Sequence, residues 1–246
     1  MAKQKRRRDC PLWIRLVLVA FAAFLTLAVM VAIALWKENS SPERETDTVA
    51  VSESDTVALA DAYELGQGLR LVGMVSAAGN FPEDGSDVFL PNMFCITVEN
   101  TTDRMLRTAS VSLTVNGQTY IFDMNSIPAG ATVRVYEKNR AAAPNAFYEF
   151  RAECSYAVFL ETEPTVGEDR LQITVQDQGI TVKNTGDEDI THDIFVNYKS
   201  RYDGVYVGGI TYRVSIKGLR AGDEVTAYAA HALESYSEVV FVEYGE

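Results

Sequence analysis

From Leu16 to Trp36 the chain reads LVLVAFAAFLTLAVMVAIALW, 21 consecutive residues without a charge and with one hydroxyl, Thr26. About 20 helical residues cross a bilayer core. In lipid, a run with no water to satisfy its amides is stable only as a helix. The spacing therefore predicts a single transmembrane helix over 16–36, with Trp13 and Trp36 as interfacial anchors. Ahead of it stand Lys3, Lys5, Arg6, Arg7, Arg8 and Arg15 against Asp9, a net of +5. By the positive-inside rule residues 1–15 form a cytoplasmic tail, and the chain beyond 36 is extracellular. A cleaved signal peptide is the competing reading, given Ala32-Ile33-Ala34. Its apolar region ordinarily runs about 7–15 residues, shorter than this one, and both readings export the rest. Ala28 and Ala32 form a small-xxx-small pair of the kind that packs helices together, a pattern that an alanine-rich span also produces by chance.

Charge narrows the partners. The chain carries 22 Lys and Arg and 34 Asp and Glu; removing the six cations and one anion of the tail leaves 16 and 33, a net of −17 over 37–246. Such an acidic exported part argues against nucleic acid and against anionic lipid surfaces. Residues 37–62, beginning KENSSPERETDTV, are rich in Ser, Thr, Glu and Asp. They hold too little apolar surface to order themselves, which predicts a disordered acidic stalk giving reach from the membrane.

Beyond the stalk the sequence repeats. CITVENTTD from Cys95 answers GITVKNTGD from Gly179 at an offset of 84. Asn116-Gly117 answers Asp203-Gly204, each a two-residue hairpin turn that tolerates positive φ. Ile127-Pro128-Ala129-Gly130 answers Leu219-Arg220-Ala221-Gly222, and Val158-Phe159-Leu160-Glu161 answers Val240-Phe241-Val242-Glu243. Within each copy apolar residues alternate with polar ones, as Val111, Leu113 and Val115 do against Ser112, Thr114 and Asn116. Period two with frequent turn signals predicts a mainly β fold of two tandem immunoglobulin-like sandwiches, 63–163 and 164–246, joined through ETEPTVGED at Glu161 to Asp169.

Three cysteines are too few for a disulfide-built scaffold. Cys10 lies on the cytoplasmic side, as an idle thiol or an acylation site. Cys95 and Cys154 share the oxidising side and could pair. Strand parity opposes it: Cys95 alternates with the apolar Phe94, Ile96 and Val98, whereas Cys154 shares its parity with Tyr148, Phe150, Ala152 and Tyr156, so one faces the core and one away unless a bulge resets the phase.

No catalytic constellation stands out, and the expectation is a non-enzymatic protein with no cofactor and no metal. His192 and His231 are the only histidines and lie far apart in sequence, with no cysteine in the second copy. No G-x-S-x-G elbow, Walker loop or dinucleotide fingerprint is present. The acidic stretches Asp187-Glu188-Asp189 with Asp193, and Glu83-Asp84-Gly85-Ser86-Asp87, have loop oxygens suited to calcium, without EF-hand spacing. Tyr198, Tyr202, Tyr206 and Tyr212 with Arg201 crowd the Asp203-Gly204 hairpin, a residue set that carries binding energy at interfaces and that also stabilises hairpins by cross-strand packing.

The second copy, ITVKNTGDEDITHDIFVNYKSRYDGVYVGGITYRVSIKGLRAGDEV, resembles the FxLYD and CARDB-type β-sandwich modules of bacterial surface proteins, over residues 171–246 with a weaker echo in 94–161. It is also similar to membrane-anchored proteins of Gram-positive bacteria. The resemblance implies a sandwich fold and surface display and transfers no catalytic residue. Tyr198-Lys199 departs from the family's Leu-Tyr-Asp element, and Cys95 and Cys154 have no counterparts in the second copy. The expected function is a cell-surface protein presenting its modules to a protein or envelope partner. The alternatives are an envelope-assembly enzyme or subunit gathering His192 or His231 with carboxylates, and a eukaryotic adhesion protein using the sequons at Asn39 and Asn100.

Overall fold

The computed structural model describes residues 52–146 and 149–245, with side chains from Ala62 onward. The segments predicted as tail and membrane span, most of the predicted stalk, Cys10, Asn39 and Tyr148 lie outside the described residues. Among the described residues no helix is long and apolar enough to cross a membrane. The fold is mainly β. Its strands are β1 (Ser52–Gly66), β2 (Leu69–Asn80), β3 (Phe89–Asn100), β4 (Leu106–Val115), β5 (Gln118–Ile127), β6 (Thr132–Tyr136) and β7 (Phe150–Phe159), followed by β8 (Leu171–Gln176), β9 (Gly179–Asn184), β10 (Ile194–Tyr202), β11 (Val205–Ile216), β12 (Glu224–Tyr228) and β13 (Ser237–Tyr244).

The alternating pattern sets the local structure. On β4, Val111, Leu113 and Val115 are buried and the intervening Ser112 and Thr114 are half-buried. Asn116 and Gly117, at φ of 49° and 81°, close β4 onto β5, and Asp203 and Gly204, at 47° and 82°, close β10 onto β11. Positive φ at both central residues is the geometry of the tight hairpin whose twist matches its strands.

These strands form three sheets: a seven-stranded sheet in the order β1-β2-β3-β6-β11-β10-β13, and two three-stranded sheets, β5-β4-β7 and β12-β9-β8. The matched copies use the seven-stranded sheet in opposite ways. From the first copy it takes β2, β3 and β6, whose counterparts β8, β9 and β12 stand apart as a small sheet. From the second it takes β10, β11 and β13, whose counterparts β4, β5 and β7 form the other small sheet. The join is a parallel pairing, Tyr206 opposite Val133 and Val207 opposite Arg134.

Side-chain parity places the small sheets on opposite faces of the large one. Tyr206 joins the first core, with Phe94, Ile96, Phe122 and Val135, while its neighbour Val207 packs on a cluster of Val75, Ala77, Cys95 and Tyr136 on the other face. Val207 stands opposite Ser200, two residues after Tyr198, which enters the second core with Ile180, Val182, Ile194 and Val196. The first core is centred on Phe94, whose ring meets Tyr120 and Phe122 edge-on at 4.8 and 5.4 Å.

Two expectations are corrected. The stalk predicted over 37–62 ends early, because β1 pairs with β2 from Ser52 opposite Ala78 onward. Ladder hydrogen bonds belong to the backbone, so a polar segment can occupy a free sheet edge. On β7 the inward set is Phe150, Ala152 and Cys154 and then Ala157 and Phe159, while Tyr156 is exposed. A register shift between the Cys154 and Tyr156 pairings on β4 resets the phase.

Candidate functional site

The repeated I-T-V-x-N-T-x-D motif is a structural clamp. Asn100, buried at the end of β3, donates from Nδ2 to the carbonyls of Arg104, Ile127 and Pro128 at 2.9, 3.2 and 3.0 Å. Its Oδ1 accepts from the Thr102 amide and hydroxyl at 3.1 and 2.8 Å. Asn184, equally buried at the end of β9, donates to the carbonyls of Glu188 and Leu219 at 2.8 and 3.2 Å and accepts from the Gly186 amide at 3.0 Å. Each asparagine ties its own turn to the Pro-Ala-Gly or Arg-Ala-Gly turn of the same copy, so two of the four repeated landmarks touch. A buried amide engaged in this way cannot carry a glycan in the folded chain, so the Asn100 sequon is structural.

The tyrosine hairpin divides between interior and surface. Tyr198 and Tyr206 are buried, and Tyr212 is half-buried against the second core. Tyr206 donates its hydroxyl to Glu238 at 2.8 Å, under the Arg201 guanidinium, which lies 5.2 Å from the ring and pairs with Glu238. Tyr212 packs on Tyr198 and stacks on the His231 ring at 4.3 Å. Tyr202 alone of the four is strongly exposed, stacked on Tyr236 at 5.5 Å. Of the five residues read from the sequence as an interface, only Tyr202 and Arg201 offer themselves to solvent.

The acidic loop after β2 is the seam between the two copies. Glu83 accepts the backbone N–H of Tyr136 at 2.9 Å and of Gly209 at 2.8 Å, bridging β6 and β11 where their short parallel ladder ends. Beside it Lys199, completely buried, donates from Nζ to the carbonyls of Asn125, Gly209 and Ile210 at 3.2, 3.3 and 2.5 Å and to the Thr211 hydroxyl at 3.3 Å. Gly208 to Thr211 stand outside the β10 ladder, which leaves the Gly209 and Ile210 carbonyls free to accept from the amine. Burial pushes the Glu83 carboxyl up and pulls the Lys199 amine down to about 7, each opposed by the other's charge. Asp84, held near 2 by hydrogen bonds from Ser86 and Arg140, and Asp87, 3.3 Å from His231 Nδ1, complete the loop's attachment.

The remaining sequence candidates are dispersed. Asp189 accepts the Ala221 amide at 2.9 Å, and Asp193 pairs with Lys217 at 2.8 Å. Among the described residues no group of three His, Cys, Asp or Glu side chains gathers as metal ligands would. Exposed His192 lies in the turn before β10 and half-buried His231 in the loop before β13. Cys95 and Cys154 are both free thiols. Cys95 packs with Tyr136 on one face of the large sheet, whereas Cys154 packs against the first core on the other, so a bridge would require turning a strand over. Burial pushes both thiols up.

One concave feature had no sequence signal. The β4–β5 hairpin and the segment after β6 border an open depression of about 480 Å³, lined among others by Asn92, Asn116, Gln118, Asn145 and Tyr120. Its walls are fixed from behind. The buried Glu137 carboxylate accepts the amides of Asn139 and Ala141 at 2.8 and 2.9 Å, and Asn116 Nδ2 donates to the Ala146 carbonyl at 2.7 Å. Asn92 comes from β3 and Tyr120 from β5, so residues far apart in the chain meet only through the fold.

The site and fold together define a mainly β protein built on one shared sheet. The chain matches no known family model, and no curated protein matches it.

Proposed function

We propose that this is a non-enzymatic, single-pass membrane protein of the cell surface, with its N-terminus cytoplasmic and two immunoglobulin-like sandwiches, 63–163 and 164–246, held outside as a binding or scaffolding body. The membrane-anchored surface proteins of Gram-positive bacteria that it resembles are the model for this reading. The apolar run at 16–36, its preceding cations and the acidic remainder support the topology. One observation supports the scaffold role: the buried polar groups best placed for chemistry, Glu83 and Lys199, are engaged in hydrogen bonds that join the two modules. A rigid tandem presents its surfaces at fixed spacing and loses little conformational freedom on binding. Exposed Tyr202 with Arg201 at the hairpin tip is the partner-facing element of that body.

The test uses the full chain in intact cells. A membrane-impermeant protease should release the β body and leave the tail protected, and a photo-crosslinker at Tyr202 should capture a discrete envelope or protein partner. A chain recovered in the soluble fraction, or a tail cleaved from outside, would overturn the topology. Crosslinking that yields no discrete product would overturn the scaffold role.

A further inference from the structure

We propose that the depression between the β4–β5 hairpin and the segment after β6 binds a neutral saccharide, recognised by Gln118, Asn145 and Tyr120. This inference goes beyond the surface-binding reading: it assigns a second site, apart from the Tyr202 hairpin, and a ligand class for it. About 480 Å³ falls within the range of roughly 300–1,000 Å³ typical of small-ligand pockets.

The chemistry of the lining selects the class. None of the ten lining residues is charged, so the site supplies no counter-ion for an anion or a cation. Four primary amides line it, and each carries donors and an acceptor a short distance apart, as a sugar hydroxyl is itself both donor and acceptor. Val115, Ala141, Ala142, Ala143 and Pro144 supply the apolar part of the lining, suited to the C–H face of a pyranose.

Three of the polar groups are unengaged by the fold. The Tyr120 residue is 4% exposed, and its hydroxyl, which has no hydrogen-bond partner among the described residues, is the part that solvent reaches. The side chains of Gln118 and Asn145 likewise have none there and face solvent. A tyrosine whose ring packs in the first core while its hydroxyl opens into the depression offers that hydroxyl to a ligand. Burial, then the Glu137 carboxylate, makes that phenol hold its proton, so it stays a neutral donor.

A peptide added as a strand is the other neutral occupant. It would need free backbone groups on the wall, but the Ala141 amide is donated to Glu137 and the Ala143 amide to the Asn92 carbonyl. Recognition therefore falls to side chains. Because the walls are fixed by Glu137 and by the Asn116 contact, the site is formed before a ligand arrives.

The test is calorimetric titration of the purified full chain, in a detergent without a sugar headgroup, with chitotetraose, cellotetraose and a penta-alanine peptide. Saturable binding of either saccharide at or tighter than about 1 mM, insensitive to salt, is expected. Tyr120→Phe removes one hydroxyl and should weaken it about five- to tenfold, and the Gln118→Ala, Asn145→Ala double variant by more than about tenfold. Lys217→Ala, in the other copy, should leave it unchanged. Thermal melts of the variants should match the parent, since the polar groups removed have no hydrogen-bond partners among the described residues and the Tyr120 ring is kept.

No saturation with either saccharide by about 10 mM would overturn the assignment, as would binding that survives the variants. Binding of the peptide in place of the sugars would overturn it in favour of a peptide groove. The titration does not depend on where the chain resides, so its failure would leave the surface topology standing. A failed topology test would equally leave a positive titration intact.

Discussion

Asn100 and Asn184 carry the fold's internal symmetry at the scale of single residues. Each is buried and hydrogen-bonded to carbonyls of two separate turns. Replacing either by alanine leaves those carbonyls without their donor and should cost about 2–4 kcal/mol, read as a shift in the urea midpoint; a loss below about 0.5 kcal/mol would contradict the clamp. The repeat was visible in the sequence, but the reason for its asparagine was not, because the receiving carbonyls of Ile127 and Leu219 lie 27 and 35 residues downstream. Lys199 was read only as a departure from a family pattern, and nothing local marks a lysine whose amine is completely buried.

That amine gives a pH dependence with a definite sign. Folded Lys199 releases its proton near pH 7, whereas the unfolded side chain holds it to about 10.5. Between these values the unfolded chain binds the proton that the folded chain has lost, so stability rises with pH across that window. Below about 7 the full cost of the buried cation is present. Compared with Lys199→Met in a urea series from about pH 6 to about pH 10, the parent should gain relative stability by a few kcal/mol as pH rises. A flat difference between the two proteins would show that the amine is not buried as described.

Strands and loops were read with mixed success, for physical reasons. Alternation and the Asn-Gly and Asp-Gly turns located β4, β5, β10 and β11, because both signals are local. The start of β1 was missed, since a polar edge strand pairs through backbone groups that its side chains do not announce. The seam was equally hidden: Tyr206 and Val207 alternate in the same way whether they face their own core or a neighbouring one. Gly209 marks the seam most sharply. A Cβ there would lie 2.0 Å from the Asp123 carbonyl oxygen, a contact that neither backbone can accept without moving. Gly209→Ala should therefore destabilise the β body by a few kcal/mol in chemical denaturation, whereas Gly204→Ala, with open space around its Cβ, should be limited to the cost of its positive φ. Equal losses from the two would remove the argument for close approach at the seam.

For the whole molecule, the sequence suggested two modules in line, and the structure joins them through one seven-stranded sheet. The second copy lends Tyr206, Val240 and Phe241 to the core of the first, and the first lends the Glu83 loop to the second. A fragment of residues 164–246 would uncover that surface and should fail to unfold cooperatively on its own. The most direct measurement is amide hydrogen exchange of the full chain across a denaturant series, following the slowest amides of β4 and β10. Matching opening free energies that converge on the global value are predicted, because neither copy can open while the shared sheet holds. Loss of protection in β10 at clearly lower denaturant than in β4, with the fragment equally stable alone, would contradict a single fused body.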